Sequence, residues 1–326
     1  MATYTQAIWK DAVVVLAPDE TDVEYRIQVK KGLTWETIYT GRAYARPNRT
    51  DPTIRINDIC ADYLTRSFNG DDDHYDATFK VEYYDAAMDD WYERDTYTFT
   101  RDWSYDRSFV SGTDFPLAPV TTRLNPAQYL PLFSFNGVFH AEIIGGDFNE
   151  DFNEDFSSLS EYINNISDGV TYWLDLSQYE GWTIIEANGR IYTPADLCGG
   201  YALYYINAYG GWDTLPIAGR TIKTDAMTRY NREAEYNNAD ASARGADTYA
   251  NEITRKYRLN TGALTTEQAR QMHHLLGSTF VYLHDIERGE ILPVVLTNNS
   301  HEHKDRVGSL HLYEIEATLA QDRTRR

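Results

Sequence analysis

Cysteine is almost absent from this chain of 326 residues, which contains only Cys60 and Cys198. Two cysteines far apart in the sequence match neither a CxxC pair nor the ligand spacing of a zinc site, and a disulfide framework needs more of them. The sequence therefore argues against a disulfide-stapled fold and a structural zinc site. It favours a reducing compartment.

Basic residues and long apolar runs are also scarce. Lysine and arginine number 30 against 50 acidic residues, which gives a formal charge of −20. Nucleic-acid proteins that contact phosphate need a cationic surface, so we expect no specific nucleic-acid partner. No apolar run approaches the ~20 residues that span a bilayer, and the N-terminus lacks a signal-peptide pattern. We expect a soluble chain without a membrane partner.

Signatures of the common enzyme classes are missing as well. The chain has no GxSxG nucleophile motif, no GxxxxGK[ST] phosphate loop and no GxGxxG motif. Asp147, Asn149 and Asp151 open like a calcium loop, but Phe152 and Ser158 stand where an EF-hand needs glycine and glutamate. We therefore predict no enzymatic activity and no metal or cofactor.

Two further polar clusters are weak candidates for a metal site. Residues 71–73 and His74 follow one another directly, and such neighbours form a solvated turn more often than a cation site. His301 and His303 form an HxH pair without a third ligand in sequence. Neither cluster changes the prediction that no metal is required.

Aromatic residues are what the sequence has in excess. Tyr, Phe and Trp number 26, 12 and 7, together 14% of the chain. Tyrosine favours strands and protein interfaces. With a length that suits two or three domains, the composition predicts a mainly β protein of antiparallel β-sandwich-like domains with a few short helices. We place the domains at residues 1–108, 109–198 and 199–326.

Local patterns in the first domain predict strands and one helix. Apolar and polar residues alternate over residues 23–30, and residues 77–84 and 92–100 predict a hairpin. Between them, an apolar stripe over residues 56–64 predicts a short helix with Asn57 as its N-cap and Cys60 as a buried thiol on the stripe.

The middle domain begins after a proline-rich stretch and is predicted to contain hairpins. Asn136 with Gly137, and Asn188 with Gly189, each lie between apolar runs, which is a strong hairpin signal. The C-terminal domain is predicted to be β as well. Its predicted strands cover residues 201–207, 220–223, 252–259, 279–283, 291–297 and 310–319, with a bulge near Leu312 and Tyr313.

The clearest helix in the sequence covers residues 265–277. Thr265 and Gln268 form a capping box, and Gly277 is placed for the C′ position. The buried stripe is predicted to be Ala269, Met272, Leu275 and Leu276. His273 and His274 fall off this stripe, so we expect both to face solvent.

Two segments of the C-terminal domain are candidate contact surfaces. The strand between the paired glycines of residues 199–211 is rich in tyrosine, which suits a well-packed hairpin, an interface or a sugar-stacking platform. Residues 225–251 are polar and much longer than an ordinary connection, which predicts an irregular arm that orders only against a partner. The candidate interface residues are Tyr204, Tyr205, Tyr209, Trp212, Tyr230, Tyr236 and Tyr249.

Several segments resemble a known group of proteins. Residues 38–47 (IYTGRAYARP), 56–64 (INDICADYL), 201–225 and 257–285, followed by ILPVVLTNNS at 291–300, are similar to virion structural proteins of crAss-like and related Bacteroidetes-infecting bacteriophages. The resemblance implies a tail or head–tail ring subunit of β-sandwich domains. Its partners would be further copies of the chain and other virion proteins, its location would be the virion, and it offers no catalytic residues.

Two other functions remain open from the sequence. A carbohydrate-binding adhesin or receptor-binding module of a phage tail would use tyrosine and tryptophan platforms on the same scaffold, and a glycan-degrading enzyme is the weakest of the three. For the ring subunit, we expect the isolated chain to be monomeric or weakly associating and to close into a cyclic oligomer in its native assembly.

Overall fold

The fold consists mainly of strands, so the predicted β class is confirmed. No helix in the described part of the chain is long and apolar enough to cross a membrane. The computed structural model describes residues 2–8, 11–16, 22–45, 52–64, 75–101, 121–133, 140–144, 160–164, 171–179, 183–187, 190–195, 197, 200–233, 246–270, 272–298 and 310–320.

The first region is a five-stranded sheet, the first sheet, covered on one face by a strand pair and a helix. The sheet has the strand order β1-β7-β6-β3-β4, and β2 pairs with β5. Its elements are β1 (Ala2–Ala7), β2 (Val13–Val15), β3 (Asp22–Lys31), β4 (Thr34–Tyr44), β5 (Thr53–Arg55), α1 (Asn57–Leu64), β6 (Asp76–Asp85) and β7 (Asp90–Thr100).

The strand and hairpin predictions for this region are confirmed. Val23, Ile27 and Val29 of β3 are buried, as their alternation with polar residues predicts. The β6–β7 hairpin forms where residues 77–84 and 92–100 predict it. At the β3–β4 turn, Gly32 has a φ of 60°, a backbone conformation that glycine adopts without strain.

Helix α1 packs its predicted stripe into the core but is capped differently from the prediction. Cys60 is fully buried, and burial raises the pKa of its thiol above the usual range. The first helical hydrogen bond runs from Cys60 N–H to the Ile56 carbonyl, so Ile56 is the N-cap. The Asn57 amide instead accepts from Ala12 N–H and donates to the Ile8 carbonyl, which joins the helix to the first strands.

The middle region contains two further sheets with a core between them. One has the order β11-β10-β13-β14-β8, and the other pairs β12 with β9. Ten buried apolar side chains between Leu124 and Tyr192 form the core. The strands are β8 (Thr121–Leu124), β9 (Tyr129–Phe133), β10 (His140–Ile144), β11 (Ser160–Asn164), β12 (Thr171–Asp175), β13 (Ile184–Ala187) and β14 (Arg190–Pro194).

One of the two predicted Asn-Gly hairpins forms, and the turn of the other, at Asn136 and Gly137, lies outside the described residues. Strands β13 and β14 pair antiparallel across residues 188–189, as predicted. Strands β9 and β10 flank residues 134–139 but lie in different sheets, so they make no hairpin. Strand β9 pairs with β12, and β10 pairs with β11 and β13, partners that a local turn signal does not identify.

The C-terminal region is a seven-stranded sheet, the C-terminal sheet, with the order β16-β15-β19-β20-β21-β18-β17. Its strands include every one predicted there. They are β15 (Tyr201–Ile206), β16 (Trp212–Ile217), β17 (Thr221–Glu233), β18 (Ala246–Leu264), β19 (Val281–Asp285), β20 (Glu290–Leu296) and β21 (His311–Leu319), with helices α2 (Thr266–Arg270) and α3 (Met272–Gly277) between β18 and β19.

The capping box at the start of α2 is confirmed. The Gln268 N–H donates to the Thr265 hydroxyl at 3.3 Å, and the Gln268 side-chain carbonyl accepts from Thr265 N–H at 2.9 Å. Ala269, Met272 and Leu275 are buried, as the stripe predicts. Helix α3 continues through Gly277 as its last residue.

The predicted bulge is present, with its extra residue on β18. Thr261 and Gly262 lie opposite Tyr313, because Asn260 pairs with Glu314 and Ala263 with Leu312. Gly262 has a φ of 72°, and a Cβ there would lie 2.9 Å from the Ala218 Cβ. The chain after β16 lies against this bulge, where Gly219 N–H donates to the Asn260 carbonyl at 3.0 Å.

Both described ends of the long arm are strands, which corrects the prediction of an irregular arm for residues 225–233 and 246–251, whereas residues 234–245 lie outside the described residues. Residues 225–233 of β17 pair with residues 246–255 of β18 and form a two-stranded extension, the ribbon. Pairing of β18 with β21 begins only at Lys256, so the ribbon projects beyond the rest of the sheet. The backbones of β17 and β18 hydrogen-bond to each other along the ribbon, and this pairing does not require a buried apolar core.

Candidate functional site

Three of the predicted interface residues lie inside the molecule. Tyr204, Tyr205 and Trp212 are 0%, 2% and 4% exposed. Strand β15 is covered on both faces, and the edge of Trp173 from the middle region packs on Tyr204. These side chains fill the interior instead of a contact surface, which corrects the expectation for them and removes the sugar platform proposed on this strand. Tyr209 is half-buried and packs on His274, with 5.6 Å between the ring centroids.

The hydroxyl of Tyr204 joins the middle region to the C-terminal sheet. It accepts a hydrogen bond from Tyr129 N–H at 3.0 Å and lies 3.0 Å from His284 Nδ1. Burial raises the pKa of Tyr204 above its usual range and lowers the pKa of His284. Both groups are therefore neutral at pH 7, where they act as hydrogen-bond partners.

A buried ion pair crosses the same boundary. Arg190 Nη1 and Nη2 donate to the Asp213 carboxylate at 3.1 and 3.2 Å. Burial alone lowers the pKa of Arg190, but the Asp213 carboxylate beside it raises that pKa above the usual range. Gln128, fully buried, donates to the Thr214 hydroxyl at 3.3 Å. We call the contacts of Tyr129, Tyr204 and His284, of Arg190 with Asp213, and of Gln128 with Thr214 the polar junction.

The turn between β15 and β16 carries two further contacts. Arg101, at the end of β7, donates through Nε to the Gly210 carbonyl, so the first sheet is tied to the same turn. His274 is buried and accepts from Ala208 N–H through Nδ1 at 3.2 Å, and burial lowers its pKa to about 4. The expectation that His274 faces solvent is wrong, because this turn covers its face of α3. His273 is exposed as predicted.

A charged row on the first sheet was not found from the sequence. Glu82, only 5% exposed, forms ion pairs with Arg26 and with Lys80 Nζ at 2.6 Å. The Arg26 guanidinium lies 4.3 Å from the ring centroid of Trp91. These residues come from β3, β6 and β7, so only the sheet register brings them together. The ion pairs of Glu82 with Arg26 and Lys80 thus connect side chains of neighbouring strands on this face of the first sheet.

The ribbon carries three exposed apolar or aromatic side chains of the C-terminal sheet on an element that projects from it. Met227, Tyr230 and Tyr249 are 61%, 42% and 63% exposed. The register slips between Tyr230 and Asn231, which leaves Tyr249 without an opposite residue in a β-bulge. The two tyrosine rings lie side by side, with 6.2 Å between centroids. Of the six candidate interface residues that the structure describes, Tyr230 and Tyr249 are thus the two exposed on a projecting element.

Polar cross-strand contacts hold the ribbon together. Arg255 Nε donates to Asp225 at 2.9 Å, and the Tyr230 hydroxyl donates to Glu252 at 2.8 Å. The hydrogen bond from Arg255 lowers the pKa of Asp225. The polar side chains of the ribbon contact each other across its two strands, while Met227, Tyr230 and Tyr249 are exposed. The ribbon therefore offers exposed side chains and the outer backbone edge of β17 as contact surfaces.

Several predicted features lie outside the described residues. They are Tyr236, Cys198, the acidic segments at 71–73 and 147–155, the histidines at 301 and 303, and the positions of both predicted domain boundaries. Within the ranges that the structure describes, no three His, Cys, Asp or Glu side chains form a group that could hold a metal ion.

Comparison with known proteins found little. No protein-family model matches the sequence, and no curated protein is significantly similar to it. The crystal structure of CBD12 from CALX1.2 aligns with 97% of this chain and 96% of its own, at 9% sequence identity and a TM-score of 0.17. A TM-score this low carries no argument about function.

Proposed function

We propose that this chain is a structural protein of a bacteriophage virion, a subunit of a tail or head–tail connector ring that acts by protein–protein assembly. The observation that carries the proposal is the ribbon, which projects from the C-terminal sheet with Met227, Tyr230 and Tyr249 exposed. Exposed aromatic residues on an extended element suit contact with a neighbouring subunit. The sequence resemblance to virion proteins supports the same function.

A ring subunit also needs a body that does not deform under load. The polar junction and the Arg101 contact with Gly210 tie the three regions of this chain to one another. Buried polar contacts favour one arrangement of the elements that they join, because separating those elements leaves buried groups without partners. A ribbon on such a body reaches its neighbour from a defined position, as closure of a ring requires.

The charge of the chain suits a position near the genome. A formal charge of −20 repels nucleic acid. If the ring surrounds the channel through which DNA passes, acidic walls keep the DNA from binding to them. The partners of the chain are then further copies of itself and other virion proteins, and its location is the virion, after synthesis in the host cytoplasm.

The experiment that tests this function is cryo-electron microscopy of purified phage particles. We expect density for this chain in a closed ring, with the ribbon against a neighbouring subunit. Phage carrying Tyr230→Ser and Tyr249→Ser should incorporate less of the chain, whereas Tyr44→Ser, which removes an equally exposed tyrosine from β4, should not. Particles that lack the chain would contradict the proposal, and specific binding on a glycan array would favour the adhesin.

A further inference from the structure

The outer edge of β17 is an open strand edge. β17 is the last strand of the C-terminal sheet and, among the described residues, pairs only with β18. It is 13 residues long and contains no proline. Long edge strands present a row of backbone donors and acceptors to a further strand, and proteins usually shorten or interrupt them. This edge is therefore suited to strand addition.

We propose that β17 pairs antiparallel with β17 of a second copy of this chain, about a two-fold axis that passes through Met227. Met227 is the middle residue of Thr221–Glu233, so this register pairs the strand along its whole length. A two-fold contact uses the same surface on both copies. The two ribbons then form a continuous four-stranded sheet in the order β18-β17-β17-β18.

The charges of β17 match in this register. Residues equally far from the axis face each other, so Asp225 lies opposite Arg229 of the partner subunit, and the pair occurs twice by symmetry. Asp225, Met227 and Arg229 share one face, because side chains alternate along a strand. Met227, 61% exposed in the single chain, meets Met227 of the partner subunit at the axis between the two ion pairs.

Neighbouring registers lose the pairing of Asp225 with Arg229 of the partner subunit. An axis at Thr228 would set Lys223 opposite Glu233 of the partner subunit, but it would leave Thr221 and Ile222 without opposite residues in the strand. With the axis at Ala226, Lys223 would face Arg229 of the partner subunit, and like charges directly opposite are destabilising. The strand has three basic and two acidic residues in a chain whose formal charge is −20. Two copies of this acidic chain repel each other over most of their surface, but they repel each other least where β17 faces β17. The near balance of charge on β17 therefore favours a second copy over an unrelated basic partner.

This contact goes beyond the proposed function. A two-fold contact joins two copies and no more, so it is separate from any contact that closes a ring. The contact would also stabilise the ribbon. An isolated two-stranded ribbon is only marginally stable in water, whereas a four-stranded sheet is more stable. The contact would form in the isolated protein whether or not the chain belongs to a virion.

Sedimentation of the isolated full chain over a range of concentrations tests the proposal. We expect a monomer–dimer equilibrium in the wild type. Arg229→Asp, which sets Asp225 opposite an aspartate, should raise the dimer dissociation constant by about tenfold or more. Arg42→Asp makes the same change of charge on β4, where we expect no effect. A wild type that stays monomeric at every concentration, or a dimer that Arg229→Asp leaves unchanged, would overturn the proposal.

A charge-swapped partner separates loss of the contact from loss of folding. The double variant Asp225→Arg with Arg255→Asp keeps an ion pair within the ribbon but places two arginines opposite each other in a self-dimer. The double variant alone and Arg229→Asp alone should both be monomeric. A mixture of the two should form a heterodimer, because each arginine then faces an aspartate. Heterodimer formation shows that both variants fold. A mixture that stays monomeric while both variants unfold like the wild type contradicts the register.

Disulfide trapping locates the axis independently. In a Cys198→Ser background, Met227→Cys places two cysteines at the axis, and oxidation with diamide should produce a crosslinked dimer. Ile222 is also exposed on β17, at 41%, but its opposite residue is position 232 of the partner subunit, so we expect no crosslink from Ile222→Cys. Equal crosslinking at both positions, or none at position 227, would overturn an axis at Met227.

Discussion

The polar junction and the ribbon contain the same kinds of residue in opposite surroundings. Each has a tyrosine hydroxyl in a hydrogen bond and an arginine–aspartate pair: Tyr204 and Arg190–Asp213 in the junction, Tyr230 and Arg255–Asp225 in the ribbon. The first set is buried, whereas in the second set Tyr230 is 42% exposed and the side chains of Arg255 and Asp225 are 40% and 42% exposed. The comparison teaches that burial decides the role of these residue types. In the polar junction they join parts of the chain, whereas in the ribbon they remain exposed at the surface.

The largest expected difference between the two regions concerns their ion pairs. Asp213→Asn should lower the free energy of unfolding by about 3–5 kcal/mol, because it leaves the buried Arg190 charge without its partner. Asp225→Asn, the matched change in the ribbon, should lower the free energy of unfolding far less, since water screens an exposed pair. Urea denaturation of both variants measures the contrast. Equal losses would mean that burial does not separate the two regions.

The second difference is a dependence on pH that only the buried turn has. Burial holds the pKa of His274 at about 4, below its value of 6.5 in an unfolded chain; His273 lowers it further and Asp213 opposes the shift. The unfolded state therefore binds the proton more tightly, so stability is present above pH 6.5 and is lost as the pH falls towards 4. We expect this histidine to account for roughly 2–3 kcal/mol of that loss.

His274→Asn isolates this contribution from that of the carboxylates. Asparagine can offer an acceptor close to the Nδ1 position for Ala208 N–H but does not titrate. The unfolding free energy of His274→Asn should fall less between pH 6.5 and 4 than that of the wild type. His273→Asn removes only the smaller effect of this neighbour on the pKa of His274, so it should stay closer to the wild type than His274→Asn does. Parallel curves for His274→Asn and the wild type would contradict the assignment.

A smaller effect is expected from single hydroxyl groups. Tyr204→Phe removes the partner of Tyr129 N–H and His284, and an unsatisfied buried group costs about 1–3 kcal/mol. Tyr249→Phe removes an exposed hydroxyl and should leave the thermal midpoint unchanged. Thermal unfolding of the two variants compares the same atom in the two regions, and a larger shift for Tyr249→Phe would reverse the comparison.

The smallest effect on stability is expected where the effect on assembly is largest. Tyr230→Ser with Tyr249→Ser should change the free energy of unfolding by less than about 1 kcal/mol, as is usual for exposed positions. Incorporation of the same variant into particles should nevertheless fall. Chemical denaturation and quantification of the chain in purified particles measure the two outcomes, and a large loss of stability would show that the tyrosines support the fold.

Local patterns in the sequence predicted much of the fold and little of the junction. Alternation over residues 23–30 and the capping box at Thr265 depend on neighbours in sequence, so they could be found. The contact of Tyr204 with Tyr129 depends on how two sheets pack, which no short pattern encodes. One signal was available: β15 is apolar on both faces, which is typical of a strand buried on both sides.

The ribbon was misjudged for a physical reason too. Its residues lack the apolar stripe that marks a buried strand, and a polar stretch of this kind is typical of a loop. Backbone pairing between β17 and β18 satisfies their donors and acceptors without burying a face. The alternation that guides strand prediction reports burial, so it cannot detect a strand that projects into solvent.

The two ends of the C-terminal sheet also determine how far it can grow. At one end, Asp213 and Thr214 of β16 are held by Arg190 and Gln128 of the middle region. At the other end, β17 accepts a strand. A sheet that extends at a single end stops after one addition, because the second copy brings the same blocked end with it. On the proposed contact, the C-terminal sheet therefore grows no further than the dimer, and its open strand edge need not lead to fibrils.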